Sequence, residues 1–267
     1  MKTIADMPDS TAAKIQVVLA DIDDTLTTDG RLTADAYAAL EKLKNTGIRV
    51  APVTGRPAGW CDMVARFWPV DGVVGENGAF YYAYDLSAKT MIRKYHPALE
   101  EYVSDPNRFD RIKARIKQEV PGAAISADQA FRVADLAIDF CEDVSPLPDS
   151  DIELIKAIFE NEGAFAKVSS IHVNGWFGEY DKLAMSRTFL SDILSLNADL
   201  DNNCIAFVGD SPNDAPMFDM FNHSCGVANV LDFKDTLPAA PKWVASKKGG
   251  AGFVEIAEKI LSARIER

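Results

Sequence analysis

The chain has 267 residues, a formal net charge of −12, and 48% hydrophobic against 25% charged side chains, a mixture too apolar and too even for disorder and without the bias of a fibre. No apolar run approaches the ~20 residues of a membrane helix, and no general excess of Lys and Arg is present to neutralise nucleic-acid phosphates. The opening MKTIADMPDSTAAK lacks the apolar stretch of a secretory signal, and Cys61, Cys141, Cys204 and Cys225 form no CxxC pair, so reduced thiols in a cytoplasm are expected.

Residues 15–21 (IQVVLAD) are a short apolar run ending in acid and read as a buried strand. Residues 32–47 read as a helix, with Thr33 as N-cap, Leu32 stapled to Tyr37, Leu40 and Leu43 on the apolar face, and Gly47 closing it. A strand at 48–53, a helix starting at Pro57 and a strand at 71–75 continue a β-α-β-α-β alternation, which implies a parallel sheet covered by helices. From about 83 to 178 the pattern changes. A basic helix near 107–119, alternating strands near 130–140, a helix near 149–161 and a strand near 166–174 read as an inserted α+β unit. The α/β pattern then returns with an amphipathic helix over 181–196 (Leu183, Phe189, Leu190, Ile193 and Leu194 on its apolar side), a strand at 204–209 and a helix at 213–222. A strand at 224–230 and a helix at 252–265 close the chain. The expected division is a discontinuous core of residues 1–83 and 179–267 around an insertion of residues 84–178.

Ligands of open α/β sheets bind beyond the carboxyl ends of the strands. The predicted strands are followed there by Asp21-Ile22-Asp23-Asp24-Thr25, Thr54-Gly55-Arg56, Glu76-Asn77-Gly78 and Gly209-Asp210-Ser211-Pro212-Asn213-Asp214. Asp21, Asp23, Asp210 and Asp214 are too many like charges for one cleft without compensation, which suggests a hard cation such as magnesium, bound by carboxylates together with substrate phosphate. Arg56 and Lys182 lie at predicted helix starts, where a cation is mildly disfavoured unless an anion sits between them. Beside the aspartates, that anion is read as phosphate.

DIDDT, TGR, the Asp181-Lys182 helix start and GDSPND occur in the order of the four motifs of the haloacid dehalogenase superfamily of phosphatases, which the chain resembles. The insertion lies where one branch of that superfamily, including sugar-phosphate phosphatases and phosphomannomutases, carries a large α/β cap, and Glu76-Asn77-Gly78 is similar to a further signature of that branch. The resemblance implies a Rossmann-like parallel-sheet core with an inserted α+β cap. It makes Asp21 the nucleophile that becomes aspartyl-phosphate and Asp23 the general acid/base. Thr54, Lys182, the Gly55 backbone, Arg56, Asn77 and Asn213 would bind phosphate or substrate. Asp210 would bind magnesium together with Asp21 and the Asp23 carbonyl, with Asp214 joining or supporting the shell. Two departures stand out: Asp24 occupies a place where many members have glycine, and Pro52 removes a ladder donor inside the second strand.

Other residues read as structural. His96, His172 and His223 have no metal-ligand spacing, although His172 lies near the return from cap to core and could face the cleft. The basic residues Arg108, Arg111, Lys113, Arg115 and Lys117 read as a solvated helix face over Phe109, Ile112 and Ile116. Trp60 and Trp68 read as packing residues, Trp176 and Phe177 have the best claim among the aromatics to touch substrate, and GGAG at 249–252 reads as a turn. The expected function is a magnesium-dependent phosphatase of a small phosphorylated metabolite such as a sugar phosphate, with no nucleic-acid or membrane partner and the oligomeric state left open. A phosphomutase of the same branch and a non-catalytic metabolite-binding protein are the alternatives, and a dinucleotide-binding dehydrogenase is disfavoured by the missing glycine fingerprint.

Overall fold

The computed structural model describes residues 1–99, 105 and 107–265. In chain order the first part contains β1 (Lys2–Thr3), α1 (Asp9–Ala12), β2 (Val17–Ala20), β3 (Thr27–Thr28), β4 (Arg31–Leu32), α2 (Ala34–Asn45), β5 (Arg49–Pro52), α3 (Ala58–Phe67), β6 (Val73–Gly75), β7 (Phe80–Asp85) and β8 (Thr90–Tyr95). The middle part contains α4 (Asp110–Glu119), β9 (Ala124–Ile125), β10 (Leu136–Asp139), α5 (Asp149–Asn161), β11 (Phe165–Val168) and β12 (His172–Trp176). The last part contains α6 (Lys182–Leu194), β13 (Ile205–Gly209), α7 (Ala215–Met220), β14 (His223–Gly226), β15 (Trp243–Val244) and α8 (Gly249–Ile265).

A six-stranded parallel sheet in the order β1-β15-β14-β13-β2-β5 forms the core. Strand β2 shows why its sequence is apolar without alternation. Val18 and Ala20 pack with Leu40, Leu43, Phe253 and Ile256 on one face, while Val17 and Leu19 pack with Phe189, Leu190, Met217 and Phe218 on the other. A strand covered on both faces has no solvent side to which polar residues could point. Helix starts follow the sequence closely: the Thr33 hydroxyl accepts the Ala36 N–H at 3.3 Å, and the Asp181 carboxylate accepts the Ala184 N–H at 2.7 Å.

The cap is a four-stranded antiparallel sheet in the order β11-β12-β10-β9. Leu136, Ile138 and Val173 pack on Ile112, Ile116, Ile155, Ile158 and Phe159 of α4 and α5. The alternate residues His172 and Asn174 are thereby left facing the core.

Several local expectations change. The strand predicted at 71–75 touches the parallel sheet through a single bridge, Val53 to Val74, and makes its ladder with the antiparallel hairpin β7–β8. Strand β7 runs through the boundary expected at 83/84, and Phe80 and Tyr82 pack with Ala58, Cys61 and Val64 of α3, so the hairpin lies with the core. The alternating stretch 130–140 is strand only over Leu136–Asp139. The N–H groups of Val133, Ala134 and Asp135 donate instead to the Glu76 carboxylate at 2.6–3.2 Å, and a donor engaged there is lost to a ladder. The strand predicted at 166–174 is a hairpin broken at Ser169, whose Oγ accepts the His172 N–H at 3.0 Å. The strand predicted at 224–230 stops at Gly226 and is followed by a 3-10 turn. Pro57 is an N-cap rather than a first helical residue. GGAG is the first turn of α8, its Gly249 and Gly250 N–H groups accepted by Asn229 Oδ1 at 2.8 Å and Thr28 Oγ1 at 3.1 Å.

Glu76 is fully buried and also accepts the Ala58 N–H at 2.9 Å, so one carboxylate satisfies N–H groups of both core and cap. Glu76→Ala strands those donors in the interior. It is expected to lower the unfolding free energy by about 3 kcal/mol or more in urea denaturation, against roughly 0.5 kcal/mol or less for Ala at the exposed Glu41.

Candidate active site

Asp21 stands one residue past β2, where its N–H donates to the Val208 carbonyl at 2.9 Å and continues the ladder. Strand β13 ends at Gly209, and the next N–H, that of Asp210, donates to Asp214 Oδ2 at 3.1 Å. A Cβ at 209 would overlap the Asp214 carboxylate, so glycine is what lets that side chain tuck against the strand. Thr25 Oγ1 donates to Asp210 Oδ1 at 3.2 Å. Lys182, the first residue of α6, places Nζ 2.7 Å from Asp21 Oδ1 and 2.9 Å from Asp214 Oδ1. The start of α6 is pressed on the turn Glu76–Gly78. Gly78 has φ +104, and a Cβ there would overlap the Asp181 carbonyl.

Asp21, Asp210, Asp214 and Lys182 are all buried. Burial pushes the Asp21 carboxyl up to about 7, with Asp214 and Asp23 adding to the rise and Lys182 opposing it. Burial and the neighbouring Asp214 and Asp21 hold Asp210 well above the usual carboxylate range. Burial opposes charge on Lys182, but Asp21 and Asp214 hold its ammonium above the usual lysine range. Three carboxylates against one ammonium leave a surplus of two negative charges, and each carboxylate offers an oxygen within 4.8 Å of the others. An all-oxygen donor set with that surplus fits a hard divalent cation, and magnesium is such an ion.

The Asp23 carboxylate lies outside that triad. It turns to Arg56, whose Nη2 is 2.8 Å from Oδ1 and whose Nε donates to both oxygens at 3.0 and 3.1 Å. Only the backbone carbonyl of Asp23, which the sequence resemblance names, is left as a metal ligand there. Asp24 has φ +56 with its N–H accepted by Thr27 Oγ1 at 3.0 Å, which explains why glycine suits this position and aspartate is tolerated.

Arg56, expected to bind an anion, is paired here with carboxylates of the chain itself. Its Nη2 also meets Glu142 Oε1 of the cap at 2.9 Å, its plane stacks on Trp60 at 4.6 Å, and only 6% of the side chain is exposed. Burial opposes charge on this guanidinium, yet Asp23 and Glu142 hold it charged; Nε and Nη2 are taken by these carboxylates, and Nη1 stands 3.8 Å from Asp128 Oδ2. Thr54 Oγ1 accepts the Arg56 N–H at 3.0 Å, which leaves its own O–H proton available. The Gly55 carbonyl accepts from Arg132 of the cap at 2.9 Å. Asn213 Oδ1 accepts the Ser211 hydroxyl at 2.9 Å, leaving its amide N–H₂ to donate. Asn77 Nδ2 is buried with no partner and lines the cleft, as a donor awaiting an anionic oxygen would.

The cap closes over these residues with Arg132, Ser170, His172 and Asn174 and leaves a cavity of about 20 Å³. Arg132, Asn174 and Glu142 were not marked by the sequence. The period-two pattern of His172-Val173-Asn174 was the one available signal for two of these cap residues. Of the two aromatics expected near substrate, Trp176 lines a second cavity of about 550 Å³ beside the cleft, together with Asn77, Lys182 and Asn213, and Phe177 does not. Trp176 is buried between Tyr180 and Phe165, Phe177 stacks on Phe109 at 5.5 Å, and neither lines the cavity over Asp21. His223 is buried in the core with Nε2 3.1 Å from the Asn203 carbonyl, and His96 packs beside Tyr180. A larger groove of about 1020 Å³ includes Lys42, Arg49 and Arg264, but it lies at the amino ends of β2 and β5, away from every motif.

Parallel sheet, cap, and acid–lysine cluster at the strand ends define a class, the capped haloacid dehalogenase-like fold. Residues 18–105 match the family model for haloacid dehalogenase-like hydrolases. The structure resembles that of a Thermoplasma acidophilum protein (20% identity, 93% of this chain and 99% of that one, TM-score 0.70) and of a haloacid dehalogenase-like hydrolase from Bacteroides thetaiotaomicron (14%, 92% and 99%, 0.65). It also resembles the sucrose-phosphatase of Synechocystis sp., determined in complex with sucrose and phosphate (15%, 92% and 98%, 0.63). No curated protein matches the sequence significantly. The chain has the haloacid dehalogenase-like fold with an inserted cap, and the family model matches about a third of it. Among the described residues, no helix is long and apolar enough to cross a membrane.

Magnesium is expected to raise the thermal midpoint at pH 8, with the increment shrinking as the pH falls through 7, because protonated Asp21 is no longer a ligand. Without metal the sign is reversed. The folded-state carboxyl binds its proton more tightly than the unfolded one, so the metal-free protein gains stability as the pH drops from 8 toward 5. Asp210→Asn should stabilise the metal-free protein by relieving repulsion and abolish the magnesium increment. Differential scanning fluorimetry over pH and magnesium reads all three outcomes.

Proposed function

We propose that the protein is a phosphatase of a small phosphorylated metabolite, with a sugar phosphate as the substrate class, acting through an aspartyl-phosphate on Asp21. The observation that carries this reading is Lys182 held between Asp21 and Asp214 at the carboxyl ends of adjacent strands. A carboxylate nucleophile and a phosphate repel each other, and a fixed buried ammonium beside the attacking oxygen offsets that repulsion without reorganisation. Asp21 attacks phosphorus. The Lys182 ammonium, the Thr54 hydroxyl, the unpartnered Asn77 amide and the Asn213 amide hold phosphoryl oxygens. Asp23 protonates the departing alkoxide, then takes a proton from the water that hydrolyses the acyl phosphate. Magnesium, held by Asp21, Asp210, Asp214 and the Asp23 carbonyl, would neutralise charge on the transferring group. The cap excludes bulk water while these steps occur. A sugar phosphate is supported by the likeness to a sucrose-phosphatase fold and by the hydroxyl, amide and imidazole groups that the cap turns to the cleft.

The test is phosphate release from a panel of phosphorylated sugars, sugar acids and nucleotides, with magnesium or EDTA. Release is expected with magnesium only, and Asp21→Asn should lower kcat by roughly 10³-fold or more. A folded wild type that releases nothing would remove the phosphatase reading. Turnover of a sugar phosphate only with a bisphosphate activator would replace it with a mutase.

A further inference from the structure

We infer that Glu142 of the cap, in close contact with His172, is a positioning residue that sets the Asp23 carboxylate for proton transfer through Arg56, and that it does so only while the cap is shut. The inference rests on the phosphatase reading above. It begins with how the cap is attached. One corner is buried and saturated: Glu76 takes the N–H groups of Val133, Ala134 and Asp135, while Arg132, with no exposed side-chain surface, holds Asp128, Asp135 and the Gly55 carbonyl. Parting this corner would leave charges and donors stranded in the interior. Across the cleft, Glu142 joins the cap to the core through Arg56 and is 28% exposed. The cavity directly over Asp21 and Asp23, about 20 Å³, has room for about one water, although a wider space of about 550 Å³ lined by Asn77, Trp176, Lys182 and Asn213 adjoins it. An ester group seated against both Asp21 and Asp23 needs the cap over them to shift, and a shift that keeps the Glu76 corner separates Glu142 from Arg56.

That separation reaches Asp23 because one guanidinium nitrogen serves both acids. Arg56 Nη2 is 2.8 Å from Asp23 Oδ1 and 2.9 Å from Glu142 Oε1. Trp60 stacks on one face of the guanidinium plane, and His172 Nε2 lies 2.9 Å from Glu142 Oε2 as a close contact outside hydrogen-bond geometry. His172, Glu142, Arg56 and Asp23 thus form a continuous chain from cap sheet to core loop. With the cap open the guanidinium keeps its Nε bonds to Asp23 but loses one of its two close carboxylates, so that Nη2 is no longer held between the two acids and the Asp23 carboxylate is less tightly oriented. An acid/base must stand within hydrogen-bond reach of its proton, and small misplacement is costly. Closure therefore aligns the proton donor only when the leaving group is already enclosed.

The experiment compares kcat/KM for an alkyl phosphate, whose leaving oxygen needs a proton, with that for p-nitrophenyl phosphate, whose leaving oxygen does not. The ratio of the two cancels effects of folding, concentration and cap opening common to both. Glu142→Ala should lower this ratio by about tenfold. Glu142→Gln, which keeps an acceptor for Arg56, should recover part of the loss. His172→Gln should lower the ratio less than Glu142→Ala and add nothing to it in the double variant. Equal losses on the two esters, or full additivity of the two substitutions, would overturn the inference while leaving the phosphatase reading intact. A wild type inactive on both esters would overturn that reading and this inference with it. Circular dichroism and the thermal midpoint of each variant identify any that fail to fold. In that event the Gln variants alone decide, a lowered ratio upholding the inference and an unchanged one overturning it.

Discussion

The crowding of negative charge at the carboxyl ends of β2 and β13 is the constraint around which the molecule is arranged. Hydrogen-bonded ladders bring Asp21 and Asp210 to adjacent strand ends, and the missing side chain of Gly209 lets Asp214 come beside them. Nothing in the sheet offsets that charge; Lys182 must be delivered by the first turn of α6, on the far side of the insertion. The N-cap Asp181, the glycine contact at 78 and the apolar underside of α6 act together to place one ammonium. One ammonium is not enough, and the remainder of the imbalance is what gives the site its appetite for a cation.

The cap follows a different electrostatic rule. Its arginine over the cleft, Arg132, and the core arginine that it meets, Arg56, are each matched by carboxylates from nearby elements. The cover thus adds no unmatched arginine to the cleft. Buried networks of this kind are costly when half satisfied, which makes the boundary between cap and core sensitive to single substitutions at Glu76 or Arg132.

Much of the core could be read from the sequence because short-range rules govern it. Apolar runs mark strands buried on both faces, Thr33 and Asp181 mark helix starts, and each strand is followed by its functional loop. Two of the misplaced strands lose backbone donors to side chains, one distant in sequence and one local. The stretch at 130–135 alternates like a strand, yet Glu76, more than 50 residues earlier, takes its N–H groups. Ser169 breaks a predicted strand by capping its own turn. The site divides in the same way: its aspartates and lysine sit in motifs with fixed spacing, whereas the partners of Arg56 are decided by how the cap is seated. No local pattern marks Glu142 as the residue that meets it.

The two ends of the insertion lie side by side. His96, whose N–H donates to the Ala79 carbonyl at 2.8 Å, packs its ring beside Tyr180 at 5.6 Å, and Gly78 touches Asp181 one residue later. A segment that leaves and returns at one point adds little loop-closure cost and lengthens no path through the sheet that holds the carboxylate cluster. Such a segment can be enlarged, trimmed or exchanged as a unit, so that the carboxylate cluster of the core and the cap surface facing it are free to change independently.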